Sequence, residues 1–204
     1  MITHLSRALP FPAAERRQQA IDALLALAWQ RPPAGIRTAE IAERMGVSQP
    51  ALFRHFPSKE ALWCAALQHI TTLSWQRIDA LSQDMALAPL PRVAALLRSH
   101  AVLVSQQPGV ARLLLQELQN PEPSEGRAVV ECFLGRFRSR LAQLLQEVLF
   151  CEPELLANAL LAQMQGLVVQ GLLAGDLSAL PHQLDAVLPL LLPGLNSPAS
   201  ELTP

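Results

Sequence analysis

The chain has 204 residues, half of them apolar and 16% charged, with a formal net charge of −1. Such a chain can bury a sizeable core in one or two compact domains, which excludes extensive disorder, and its balanced charge excludes a generally basic coat protein. The charge is nonetheless uneven: residues 1–70 hold eight Lys or Arg against five Asp or Glu, while residues 71–204 hold eight against twelve.

Residues 1–12 end in Pro10-Phe11-Pro12 and read as a flexible arm. They lack the apolar run of a signal peptide and carry only Arg7 and His4 as possible positive charge, so a cytoplasmic location is expected. From Ala13 to Gln30 the apolar positions Ala20, Ile21, Leu24, Leu25, Leu27 and Ala28 recur at helical spacing, up to Arg31-Pro32-Pro33. This first helix is expected to close a three-helix head.

The next segment carries the function. Thr38 can cap a short helix with Ile41, Ala42 and Met45 facing inward. Gly46 can take the positive φ that stops it and turns the chain, Val47 can plug the angle, and Ser48 can cap a second helix. Pro50 falls in that helix's first turn, where a missing N–H costs nothing. Two short helices joined by a sharp turn make a helix-turn-helix, whose second helix enters the DNA major groove.

A fourth helix starts at Pro57-Ser58 with Ser58 as cap, Glu60 in its first turn, and Leu62, Ala66, Ile70 and Leu73 on one face as far as about Leu81. It reads as a rod joining head to body. The run from Asp84 to Pro91 is a Pro-containing link. Helices are expected over Arg92 to Gln106, Val110 to Leu118, Glu125 to Phe150, Pro153 to Gly175 and Pro181 to Leu192. No convincing alternating strand is present, so the class is all-α.

The spacing of Thr38, Ile41, Ala42, Gly46, Val47, Ser48, Leu52, Phe53, Phe56 and Lys59 resembles the DNA-binding domain of TetR/AcrR-type regulators, over roughly residues 14–70. A Tyr commonly stands in that family where this chain has Phe53, so a phenolic phosphate contact is missing. The resemblance implies a DNA-binding domain over 13–60, or 13–73 with the start of the connecting helix, and a helical effector-binding and dimerisation domain over 74–204. It also implies a homodimeric repressor on a palindromic operator, released by a small molecule.

Within the motif, Gln49 is the candidate base reader, because its amide can pair with N6 and N7 of adenine. Pro50 and Ala51 could touch a thymine methyl, and Phe53 could pack on sugar and backbone. Thr38, Ser48, Arg54, His55 and Lys59 suit phosphate or positioning roles, and Arg37 joins the DNA-binding set. Leu52 and Phe56 read as core plugs.

The last two helices are nearly apolar all round, and a helix of that kind must be covered on every side. A membrane span is disfavoured: Asn158, Gln163, Gln165 and Gln170 recur along the first, and the second is too short for roughly 30 Å of hydrocarbon. Packing of 153–175 and 181–195 against a second subunit, as the resemblance implies, or burial within one chain, are the remaining solutions. The body's Leu, Val and Phe content suits an apolar effector, which His69, His100, Phe133 and Phe137 could orient; core packing is the alternative role of those four residues.

Cys64, Cys132 and Cys151 are far apart and odd in number, which suggests neither a disulfide framework nor a zinc site; all three read as reduced, buried small hydrophobes. No G-x-S-x-G elbow, phosphate-cradling Gly-rich loop, H-E-x-x-H or His pair at ligand spacing is present, so no catalytic residue, metal or cofactor is nominated. The competing reading is a DNA-bound interaction protein of the nucleoid-occlusion type acting on a partner protein, with the polar run from Gln116 to Arg127 as a possible contact surface.

Overall fold

Pro32 and Pro33 disfavour helical backbone in the residue before them, and α1 (Ala13–Gln30) accordingly ends with Arg31 extended. This is a computed structural model, and it describes residues 12–119, 121–148 and 152–192. Residues 1–11 of the expected arm 1–12, Asn120, residues 149–151 with Cys151, and the stretch 193–204 therefore lie outside the described residues.

Among the described residues the chain forms nine α-helices and no strand. After α1 and a short 3-10 turn come α2 (Thr38–Arg44), α3 (Gln49–Phe53), α4 (Lys59–Ser82), α5 (Pro89–Gln106), α6 (Pro108–Gln119), α7 (Glu125–Gln146), α8 (Pro153–Ala174) and α9 (Leu180–Leu191).

The elements follow local chemistry. Ser58 accepts the Ala61 N–H at 3.1 Å and caps α4 as the sequence requires. Gly175 closes α8 in the left-handed conformation, φ 74°. Helix α5 begins three residues earlier than periodicity predicts: Pro89 and Pro91 belong to its first turn, where backbone N–H groups have no helical partner to lose. Helix α7 stops at Gln146; the predicted end, Phe150, lies outside the described residues.

The buried face of α4 departs from the predicted one in its second half. Leu62, Ala66 and Ile70 are buried, but the stripe then runs through Ser74, Ile78 and Ser82, leaving Leu73 only half-buried. Along this stripe Leu62, Ala66 and Ile70 join the head's apolar cluster, and Ile78 joins the body's.

Two apolar clusters hold the molecule. One gathers Ala20, Leu24, Ile36, Ile41, Leu52, Phe56 and Leu62 around the first three helices, and continues through Leu103, Leu113 and Val130 into the body. The other fills the body with Ile78, Leu96, Phe137, Leu141, Met164 and Leu184. Burying a Leu or Phe side chain is worth about 1.5–3 kcal/mol.

Helix α8 buries Ala157, Leu160, Leu161, Met164 and Leu167, while Leu155 is 67% and Leu173 84% exposed; Leu190 on α9 is 78% exposed. Burial within one chain thus covers only part of this apolar pair. Cysteine burial is split as well: Cys64 is buried but Cys132 is exposed, so the expectation of buried cysteines fails there.

Candidate nucleic-acid interface and body cavity

Gly46 adopts φ 67°, the left-handed turn that only glycine takes without strain, and Val47 donates its N–H to the Ala42 carbonyl at 3.0 Å. This turn sets α3 across α2. Leu52 and Phe56 are each 1% exposed and plug the head's core, which leaves Ser48, Gln49, Pro50, Phe53 and Arg54 on the outer face. Ala51 and His55 are half-buried beside them.

Two capping expectations change. Arg37, not Thr38, occupies the cap of α2, and the carboxylate of Glu40 accepts the Arg37 N–H at 2.8 Å in the return arm of a capping interaction. The Thr38 hydroxyl instead accepts from Gln49 Nε2 at 2.7 Å, joining the first turns of α2 and α3. Ser48 does hold the cap of α3, yet its side chain makes no cap hydrogen bond there. An exposed helix end has water to satisfy its N–H groups, and a phosphate oxygen can replace that water.

Electrostatics at the head are shared between bound and free cations. Glu40 is held well below the usual carboxylate range, at about 2, first by its hydrogen bond from Arg31 and then by the Arg37 backbone N–H. The Arg37 side chain is 79% exposed despite its 3.4 Å contact with Glu40. Lys59 donates to the Ala34 carbonyl at 3.2 Å and lies 4.7 Å from the centre of the Trp63 ring, so it braces the start of α4 as well as offering charge. Among the described residues Arg54 has no ion pair and projects from the end of α3.

Sequence reasoning passed over Arg17. Its guanidinium donates to the His55 carbonyl and stacks 4.2 Å from the centre of the Phe56 ring, tying α1 to the end of α3. Its position on the polar side of an amphipathic first helix was the available signal, but the partner is 38 residues away.

The body contains a cavity of about 280 Å³ bounded by α4 to α8. His100 and Phe133 are among the residues that line it. Phe137 is fully buried behind them, with its ring centre 5.4 Å from that of His100. His69 points elsewhere: Gln18 of α1 donates to its Nε2 at 3.2 Å, at the junction of head and rod. Burial without a charged neighbour pushes the His100 imidazole down to about 4. Ser74, 3.1 Å from His100 Nδ1, was not foreseen, because a serine on an apolar helical face looks like a gap in the pattern.

The run from Gln116 to Arg127 is not one open surface. Helix α6 extends through Gln119, and buried Glu117 accepts a hydrogen bond from Ser124. No group of His, Cys, Asp or Glu that could hold a metal occurs among the described residues.

An outward-facing second helix carried on a two-helix turn and followed by Arg54, with an all-helical body behind it, defines a helix-turn-helix regulator. Residues 20–66 match the family model described as bacterial regulatory proteins, tetR family. A nucleoid occlusion factor SlmA from Idiomarina loihiensis is 29% identical over 162 residues, 76% of this chain and 82% of that one. Another, from Marinomonas sp. (strain MWYL1), is 30% identical over 135 residues, 65% of this chain and 67% of its own length. A solved TetR-family transcriptional regulator from Agrobacterium tumefaciens shares the fold with a TM-score of 0.73 at 18% identity, over 87% of this chain and 97% of that one. The chain belongs to the TetR family: it is a DNA-binding transcriptional regulator and not an enzyme.

Proposed function

We propose that the chain is a homodimeric repressor that binds a palindromic operator and is released when a small apolar molecule enters the body cavity. The observation that carries this reading is the division of α3, whose Leu52 is buried while Gln49 and Arg54 face outward. Gln49 reads a base edge, with Pro50, Ala51 and Phe53 in apolar contact; Arg37, Thr38, Ser48, Arg54, His55 and Lys59 hold phosphates and set register. Residues 13–60 form the reading head, 13–73 with the start of the rod, and 74–204 the effector and dimer unit.

The exposed Leu155, Leu173 and Leu190 support dimerisation through 153–175 and 181–195, of which 193–195 lie outside the described residues. A twofold pair of heads would set two recognition helices about 34 Å apart, one DNA turn. Helix α8 also meets the length and composition of a membrane span, but a partner helix covers the same leucines without placing the head's charges beside lipid. Action on DNA places the chain in the cytoplasm.

A second reading is favoured by the relatives, which are nucleoid occlusion factors: this chain would then act on a partner protein while bound to DNA. Genome-wide mapping of bound DNA separates the two. One or two palindromes beside a neighbouring gene are expected for the repressor. Many dispersed sites, together with co-purification of a division protein, would replace it with the second reading.

A further inference from the structure

We infer that the cavity is built for an uncharged, largely apolar molecule bearing one hydroxyl or carbonyl group, which it seats on the Ser74–His100 pair. The inference rests on the reading of the body as an effector-binding unit and names the ligand's chemical class.

No Lys, Arg, Asp or Glu stands among the residues lining the cavity. A carboxylate, phosphate or ammonium carried inside would lose its water without gaining a counter-charge, a penalty of several kcal/mol in proteins. Purely apolar ligands would leave the cavity's internal polar locus unmatched. Thr71 already donates its hydroxyl to the Leu67 carbonyl at 2.9 Å, and Gln165 on α8 is exposed. That leaves Ser74 from α4 and His100 from α5, 3.1 Å apart.

One proton can be placed in either of two ways across this pair. If Ser74 donates to Nδ1, Nε2–H is a donor suited to a carbonyl; if Nδ1–H donates to Ser74, Nε2 is an acceptor suited to a hydroxyl. The His100 ring is held in place by Phe133 and Phe137, with ring centres 5.5 and 5.4 Å away. The space of about 280 Å³ is close to the lower end of ligand pockets, roughly 300 Å³, and so suits a small organic molecule.

Titration calorimetry on the full chain with 1-decanol, decanoate and decyltrimethylammonium tests the inference. The alcohol is expected to bind at least about tenfold more tightly than either ion, as the penalty for burying an uncompensated charge requires. Ser74→Ala and His100→Phe, the latter keeping the ring packing, are each expected to weaken the alcohol about fivefold, the loss of one hydrogen bond, with the helical circular dichroism signal unchanged.

Equal binding of decanoate, or equal alcohol affinity in both variants, would overturn the inference, as would no binding of any probe. Leu114→Trp, which fills the cavity from α6, separates the two levels. Alcohol binding that survives this change overturns the effector-cavity reading itself. Binding that disappears while decanoate still matches decanol in the parent chain overturns only the ligand class.

Discussion

Gly109, at the start of α6, lies so close to Leu25 of α1 that a Cβ on it would stand 2.4 Å from the Leu25 carbonyl oxygen. Helix α6 also supplies Val110 and Leu114 to the cavity wall, so the same helix touches the reading head and the body's interior. Because the obstructing atom belongs to the backbone, a methyl group can be fitted only by moving one helix off the other. Gly109→Ala is expected to lower stability by about 1–3 kcal/mol, the usual cost of overpacking, read as a lower urea midpoint at unchanged m-value.

Base reading and phosphate holding are separable at α3. Gln49→Ala is expected to remove about 1–3 kcal/mol of discrimination between operator and scrambled duplex. An unchanged ratio in a gel-shift competition would take Gln49 out of the reading role. Arg54→Ala is expected to weaken both duplexes alike and reduce the salt slope by about one.

Acid stability should carry the mark of His100, whose ordinary value of 6.5 falls to about 4 in the fold. Below 6.5 the unfolded chain takes up a proton that the folded chain refuses, so stability is fully present above that pH and falls towards pH 4. The total is on the order of 3 kcal/mol at 1.36 kcal/mol per pH unit. Glu40 loses its contribution lower, between 4.5 and about 2. In denaturant titrations from pH 7 to 4, His100→Gln should show a shallower decline than the parent; parallel curves would show that the imidazole charges freely in place.

The dimer proposal turns on exposed leucines. Leu173→Glu puts a charge on a side chain that is 84% exposed in the single chain, so the monomer should retain its thermal midpoint while sedimentation velocity shows dissociation. Operator affinity should then fall steeply, since each half-site is held alone. A dimer that persists through both Leu173→Glu and Leu155→Glu would move the interface elsewhere.

Local chemistry made much of this molecule legible in its sequence. The first helix was read to its observed ends because a run of helical spacing meets two prolines, and Gly46, Pro50 and Ser58 stand where backbone geometry demands them. Spacing within the motif also separated the core plugs Leu52 and Phe56 from the outward Gln49 and Arg54. Such features depend on neighbours a few residues apart, which a sequence displays directly.

Tertiary structure decided what depends on distant partners. Thr38 gives its oxygen to Gln49 instead of capping its own helix, and Arg17 finds the carbonyl of His55. His69 turns to Gln18 while His100 meets Ser74, although both histidines sit near apolar helical faces in the sequence. Helical periodicity says which residues share a face; which neighbour that face meets is set by how nine helices cross among the described residues.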